Sequence, residues 1–260
     1  DTWSVLSSGN LNSITSEFQK SHNTFIFNDK DRNEESVYIQ ALRENGETAE
    51  KERKEAQDAG KPIQSVTSRV SPNNNTEKPQ QDSAATVYGT TIDFVTRRFF
   101  KNFADIESEV LKDETINEDS KSEEIKSRIK ESIKEGFKNK KIPNLSEDNL
   151  DNIINQLMDV VEELNRRHQY GYKIYTDVPY LIGHFRDTAI DSQNKDVSIG
   201  GQIDLLVEDN NTGNLHIIDI KTSKKTNESE LVNPQYKAQL LLYKALIEQN
   251  SGGKVTEMSL

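Results

Sequence analysis

Two β-like runs and the turn between them constrain this chain more than any other feature. Residues 197–207 and 215–221 are rich in branched apolar side chains, and Asp209-Asn210-Asn211-Thr212-Gly213-Asn214 joins them through a run of turn formers. The spacing predicts an antiparallel hairpin. With its centre between Asn211 and Thr212, Asp204 falls opposite Asp219 and Gln202 opposite Lys221, and the period of two puts all four on one face. Ile203, Leu205, Val207, Ile218 and Ile220 collect on the other face, an apolar set suited to burial.

Two carboxylates opposed on a largely buried strand pair repel each other and lose hydration, so a positive charge belongs between them. A hard divalent cation is the natural candidate, because Mg²⁺ takes carboxylate and carbonyl oxygens and keeps waters, one of which can act as a nucleophile. Lys221 can orient that water or offset charge on a phosphate. The plain alternatives are a surface hairpin with solvated aspartates, or an Asp–Lys pair without metal. They leave the many branched apolar neighbours unexplained.

Composition narrows the classes further. The chain has no Cys, which excludes disulfides, thiolate zinc sites and cysteine-ligated iron–sulfur clusters and fits an intracellular protein. No apolar run is long enough to span a membrane, and no secretion signal opens the chain. A net charge of -11 argues against nonspecific wrapping of nucleic acid, although a local basic rim around a bound cation is compatible with an acidic total. Apolar residues make up 32% and charged residues 30%, so part of the chain is expected to be extended or disordered. The chain begins at Asp1 without Met and stops in a strand-like segment, which suggests a piece of a larger polypeptide or complex.

Before residue 84 the pattern is weak. Trp3, Val5, Leu6 and Phe25-Ile26-Phe27 can anchor a small packed element; 43–61 suits an exposed helix, and 65–83 reads as a flexible linker. Segment 1–83 is therefore expected to be partly disordered, and 84–260 to form the main domain. A helix capped by Ser83 carries Ile92, Val95 and Phe99; another over about 120–138 repeats Ile125, Ile129, Ile133 and Phe137; a third starts at Ser146. Residues 172–182 with Phe185 read as one long strand or a bent pair, Pro234 opens a helix to about 248, and 254–260 starts a further strand.

Gly201-Gln202-Ile203-Asp204 followed by Ile218-Asp219-Ile220-Lys221 resembles the PD-(D/E)XK nuclease superfamily, and more narrowly its RecB-like exonuclease branch. The resemblance implies an α/β fold with a mixed central β-sheet flanked by helices, a restriction-endonuclease-like core. It implies that Asp204, Asp219 and the backbone carbonyl of Ile220 bind Mg²⁺ or Mn²⁺. The branch also carries Gln-x-x-x-Tyr on the next helix, matched by Gln239 and Tyr243, which share a helical face with Tyr236. Gly89-Thr90-Thr91-Ile92-Asp93 fits an upstream helix motif, with Asp93 where the branch has a metal-binding His; Asp93 is either a third ligand or an i,i+4 partner of Arg97. Asp177 is an acid placed before the site strands, or simply solvated.

The remaining candidates read two ways. His216 points away from Asp219 and fits a packed strand residue, and His184 beside Arg186 is an exposed pair or a phosphate contact. Lys224, Lys225, Arg97, Arg98 and Lys101 form a basic rim or a solvated face. The expected activity is metal-dependent hydrolysis of phosphodiester bonds in DNA, most simply by an exonuclease in bacterial or phage-infected cytoplasm. A silent nucleic-acid-binding or assembly module, and an endonuclease in a restriction or recombination machine, are the alternatives.

Overall fold

In chain order the elements are β1 (Thr2–Ser4), α1 (Val37–Asp58), β2 (Gln64–Ser65), α2 (Val66–Val70), α3 (Ala84–Lys112), a 3-10 turn (Glu118–Ser120), α4 (Lys121–Lys138), α5 (Glu147–Arg167), β3 (Tyr172–Tyr175), β4 (Leu181–Asp187), β5 (Lys195–Gly201), β6 (Leu205–Asp209), β7 (Leu215–Ile218), α6 (Pro234–Ser251) and β8 (Val255–Ser259). The computed structural model describes residues 2–4, 36–70, 84–138, 145–187, 195–221 and 234–260. Contacts group the chain into two units that are not successive in sequence: Asp1–Val5, Asn28–Pro79 and Asp177–Leu260 form the first, and Leu6–Phe27 with Gln80–Thr176 the second. Among the described residues no helix is long and apolar enough to cross a membrane.

The first unit is built on the predicted hairpin. Leu205 pairs with Ile218, Leu206 with Ile217 and Val207 with His216, the register read from the sequence. The connector fixes it: Asp209 Oδ1 accepts the backbone N–H groups of Asn211 at 3.0 Å and Thr212 at 2.8 Å, and Gly213 takes the positive φ of 66° that closes the turn. Leu205, Leu206, Val207, Leu215, Ile217 and Ile218 are all buried, so both faces of the hairpin are covered. From β7 the chain returns parallel as β8, which requires a crossover, and α6 supplies it. β1 adds parallel to β8, giving the order β1-β8-β7-β6 within this unit. A second, mixed sheet has the order β2-β5-β4, β2 running parallel and β4 antiparallel to β5. Helices α1 and α6 pack on β4, and α6 reaches β5, β7 and β8 as well.

In the second unit the helical stripes fall as their spacing predicts. Val95 and Phe99 of α3, Ile125, Ile129, Ile133 and Phe137 of α4, and Leu150, Ile154, Val161 and Leu164 of α5 form the core. Ser146 caps α5 by accepting the Asn149 N–H at 3.3 Å. The proposed Ser83 cap lies outside the described residues.

Four expectations change. The run 197–207 is not one strand: it splits at Gln202–Asp204 into β5 and β6, which join different sheets, because β5 pairs back with β4 and β2 whereas β6 pairs forward with β7. The helix expected to be exposed starts earlier, capped by Ser36, and buries Ile39, Leu42, Gly46 and Ala49. Its apolar positions are sparse enough to be hidden among charges. The expected linker begins as β2 and α2, with Val66 buried; elements of two and five residues carry almost no periodicity. Asp177 lies in the exposed connection after β3 rather than in a strand, whereas the division of 172–182 between β3 and β4 follows the bent-pair reading rather than the single long strand. Trp3 belongs to β1, whereas the other anchors of the expected N-terminal element lie outside the described residues.

Candidate active site

Asp204 sits at the bend between β5 and β6, and Asp219 follows the last residue of β7, so the hairpin register sets them opposite each other at its open end. The Asp204 carboxylate accepts the Ile220 N–H at 2.8 Å across the strand pair. Asp219 is only 3% exposed. The Lys221 ammonium lies 2.5 Å from its Oδ2, in an ion pair, yet that oxygen accepts no well-directed hydrogen bond. Burial pushes the Asp219 carboxyl above its usual 3.8, and the neighbouring Lys221 cation does not fully counter this.

Helix α6 forms the wall behind it. Gln239 and Tyr243 are buried on one face, and the Gln239 amide donates to the Tyr243 hydroxyl at 3.4 Å. Burial raises the Tyr243 hydroxyl to about 12 against the pull of Gln239, and the charges of Asp219 and Asp204 add to the rise. Tyr243 is therefore a protonated donor near the acids. Tyr236, about one turn before Gln239, places its ring 5.4 Å from the Lys221 ammonium. The chain reaches this arrangement because a parallel β7/β8 pair carries its crossover helix over the sheet.

The other candidates take ordinary places. Asp93, in the second unit, accepts from Arg97 Nε at 2.9 Å, the i,i+4 pair that the sequence offered as the alternative to ligation. His216 is packed as expected, its Nε2 2.7 Å from Ser259 Oγ. His184 is exposed beside Ser198 and Glu52. Arg97 and Arg98 are half-buried and Lys101 exposed on α3; Lys224 and Lys225 lie outside the described residues.

Sequence reasoning missed Arg53, Thr67 and Tyr180, which line a cleft with Tyr243 and the glycines of β5. The available signal was Gly200-Gly201 itself, since glycines inside a strand mark close approach.

The buried Asp219 carboxylate opposed to Asp204 fits a divalent ion, with Asp204, Asp219 and the Ile220 carbonyl as hard oxygen donors. Fold and site together define the class: a mixed α/β protein with an acidic centre at the open end of a hairpin, backed by a crossover helix. Residues 66–259 match the family model of the PD-(D/E)XK nuclease superfamily, and the chain belongs to that superfamily. Members of that superfamily are generally nuclease-type phosphodiester hydrolases that act on nucleic acid and use divalent metals, and membership points to the same chemistry here. The match begins at Val66, the first residue of α2, earlier than the motifs alone indicated. A comparison with curated proteins gave no match.

Proposed function

We propose that the chain is a divalent-metal-dependent deoxyribonuclease of the RecB-like exonuclease type. The observation that carries this reading is the opposed Asp204–Asp219 pair, in which the buried Asp219 carboxylate is ion-paired with Lys221. Asp204, Asp219 and the Ile220 carbonyl would hold Mg²⁺ or Mn²⁺. When bound, such an ion supplies Lewis acidity, making a water more acidic and offsetting charge on the phosphate. Lys221, held between Asp219 and the Tyr236 ring, offsets the charge that gathers on the phosphate as water attacks in line and the leaving oxygen departs. Gln239 and Tyr243 position the lysine and the substrate strand from behind. The reading rests on residues of the first unit alone; Asp93→Ala tests separately whether that acid adds to metal binding.

The decisive experiment is cleavage of linear, circular, single-stranded and duplex DNA with Mg²⁺, Mn²⁺ or chelator, comparing the wild type with Asp219→Ala and Lys221→Ala. We expect metal-dependent degradation from free ends and a loss of at least about a hundredfold in either variant. Cleavage that survives both substitutions sinks the assignment, and cutting of closed circles would make the enzyme an endonuclease. The Lys221–Asp219 contact favours one other reading, a silent nucleic-acid-binding or assembly module in which the lysine alone balances the acids. Such a module would bind no Mn²⁺ in a calorimeter.

A further inference from the structure

Asp219 is hung on strand β8. Its backbone N–H donates to the Ser259 carbonyl at 3.0 Å, and the next amide, that of Ile220, donates to the Asp204 carboxylate at 2.8 Å. The backbone that carries the site's oxygens is thus held from opposite sides, by β8 and by the residue that precedes β6. Yet the β7/β8 ladder alone does not fix which β8 carbonyl Asp219 meets. Leu215 pairs with Val255 but His216 with Glu257, so Thr256 is an extra residue, a bulge, and only three pairs follow it, 216–218 with 257–259. A straight ladder would put Thr256 opposite His216, shift the rest of β8 by about 3.3 Å and turn Glu257 and Ser259 to the other face. Asp219 would then meet the Met258 carbonyl instead.

A buried polar contact selects the bulged register. His216 of β7 and Ser259 of β8 are both fully buried, and His216 Nε2 lies 2.7 Å from Ser259 Oγ, a hydrogen bond inside the core. His216 Nδ1 lies 3.9 Å from the Glu257 carboxylate on the same face. Both contacts require Glu257 and Ser259 to share the face of His216. The straight register would set Thr256 and Met258 there and bury the imidazole and the hydroxyl apart from each other, a penalty that apolar side chains would not impose. Fixing register is the best-attested use of a buried polar contact.

We propose that His216 is a positioning residue for the metal-binding carboxylate: its hydrogen bond to Ser259 holds β8 in the bulged register, and the Ser259 carbonyl then holds Asp219 opposite Asp204. The inference rests on the nuclease reading in taking Asp219 as a metal ligand. His216 is three residues before Asp219 on the same strand, so its side chain lies on the opposite face, and its influence passes through the β8 backbone rather than through contact with metal or substrate. Groups that orient a metal ligand without touching the ion typically carry about 10–100-fold of its affinity.

Two substitutions of like shape test this. His216→Gln keeps a hydrogen-bonding group near the position of Nε2, and His216→Met replaces it with a thioether. Mn²⁺ binding is measured by calorimetry and, in chelator, exchange of the Asp219 amide hydrogen is followed by NMR against the amides of α6. His216→Met should weaken Mn²⁺ binding at least about tenfold. It should also speed Asp219 exchange about fivefold relative to α6, as for a lost hydrogen bond. His216→Gln should stay close to the wild type in both. Ser259→Ala, a smaller change at the other end of the bond, should match His216→Met and carries the test if that variant does not fold. Ile129→Val, in the core of the second unit, should lower the urea midpoint and move neither readout. Unchanged Asp219 exchange or unchanged Mn²⁺ affinity in both His216→Met and Ser259→Ala overturns the proposal, as does a His216→Gln protein impaired as much as His216→Met. If the wild type binds no Mn²⁺, the nuclease reading falls and the exchange comparison alone decides whether His216 positions Asp219.

Discussion

Asp204 has two physical roles that a substitution can separate. Its carboxylate is the acceptor for the Ile220 N–H at 2.8 Å, and its charge opposes that of Asp219. Asp204→Ala and Asp204→Asn both remove the charge, but only alanine leaves the N–H without an acceptor. Urea unfolding in chelator should therefore find Asp204→Asn the more stable of the two by about 1 kcal/mol, the net value of a backbone hydrogen bond. It should also be no less stable than the wild type, because relief of like-charge repulsion favours it. Equal stability of the two variants would remove the hydrogen bond from the account. The carboxylate pair itself was legible in sequence, because a hairpin register depends only on a short connector, and Asp209 and Gly213 announce that connector. The Lys221–Tyr236 contact was not, since α6 returns only after twelve further residues whose path the local pattern does not dictate.

At the scale of elements, the end of α5 offers a pH test. Burial alone would raise the Glu163 carboxyl, which is 14% exposed, but Arg166 and Arg167 hydrogen-bond to it and hold it below its usual 4.5. A carboxylate depressed in the folded state contributes stability above its unfolded value, and that contribution is lost as pH falls through the folded value. Glu163→Gln should accordingly lower Tm at neutral pH by the equivalent of about 1 kcal/mol, a discounted figure for a partly solvated pair. Thermal melts of both proteins should converge below pH 4.5; a gap that stays constant with pH would assign the loss to packing instead. The helical stripes of α4 and α5 were readable because four-residue repeats of Ile and Leu survive a charged background. In α1, the apolar residues facing α6 and β4 are too few to reveal their role without the elements they touch.

For the whole molecule, metal binding and stability are linked. If the acid pair takes a divalent ion, Mn²⁺ at about a hundred times its Kd should stabilise the fold by about 2.7 kcal/mol, and chelator should reverse the shift. Differential scanning calorimetry should show this in the wild type and not in Asp219→Asn. A shift of the same size in that variant would place the ion elsewhere. With a net charge of -11 the chain as a whole repels a polyanion, so productive contact with nucleic acid has to be local and should weaken as salt rises.

By itself the sequence determined what short-range geometry controls. That includes the hairpin and its register, the facing of Asp204 and Asp219, Lys221 on their side, the helical stripes and the superfamily motifs. The tertiary structure alone decided that 197–207 bends between two sheets at Gln202–Asp204, and that Arg53 and Tyr180 meet Gly200 and Gly201 at a cleft beside those acids. The physical reason is distance along the chain. Turn chemistry and periodicity act over a few residues, whereas strand order and the walls of a cleft also depend on segments tens to more than a hundred residues apart, brought together only by burial of the core.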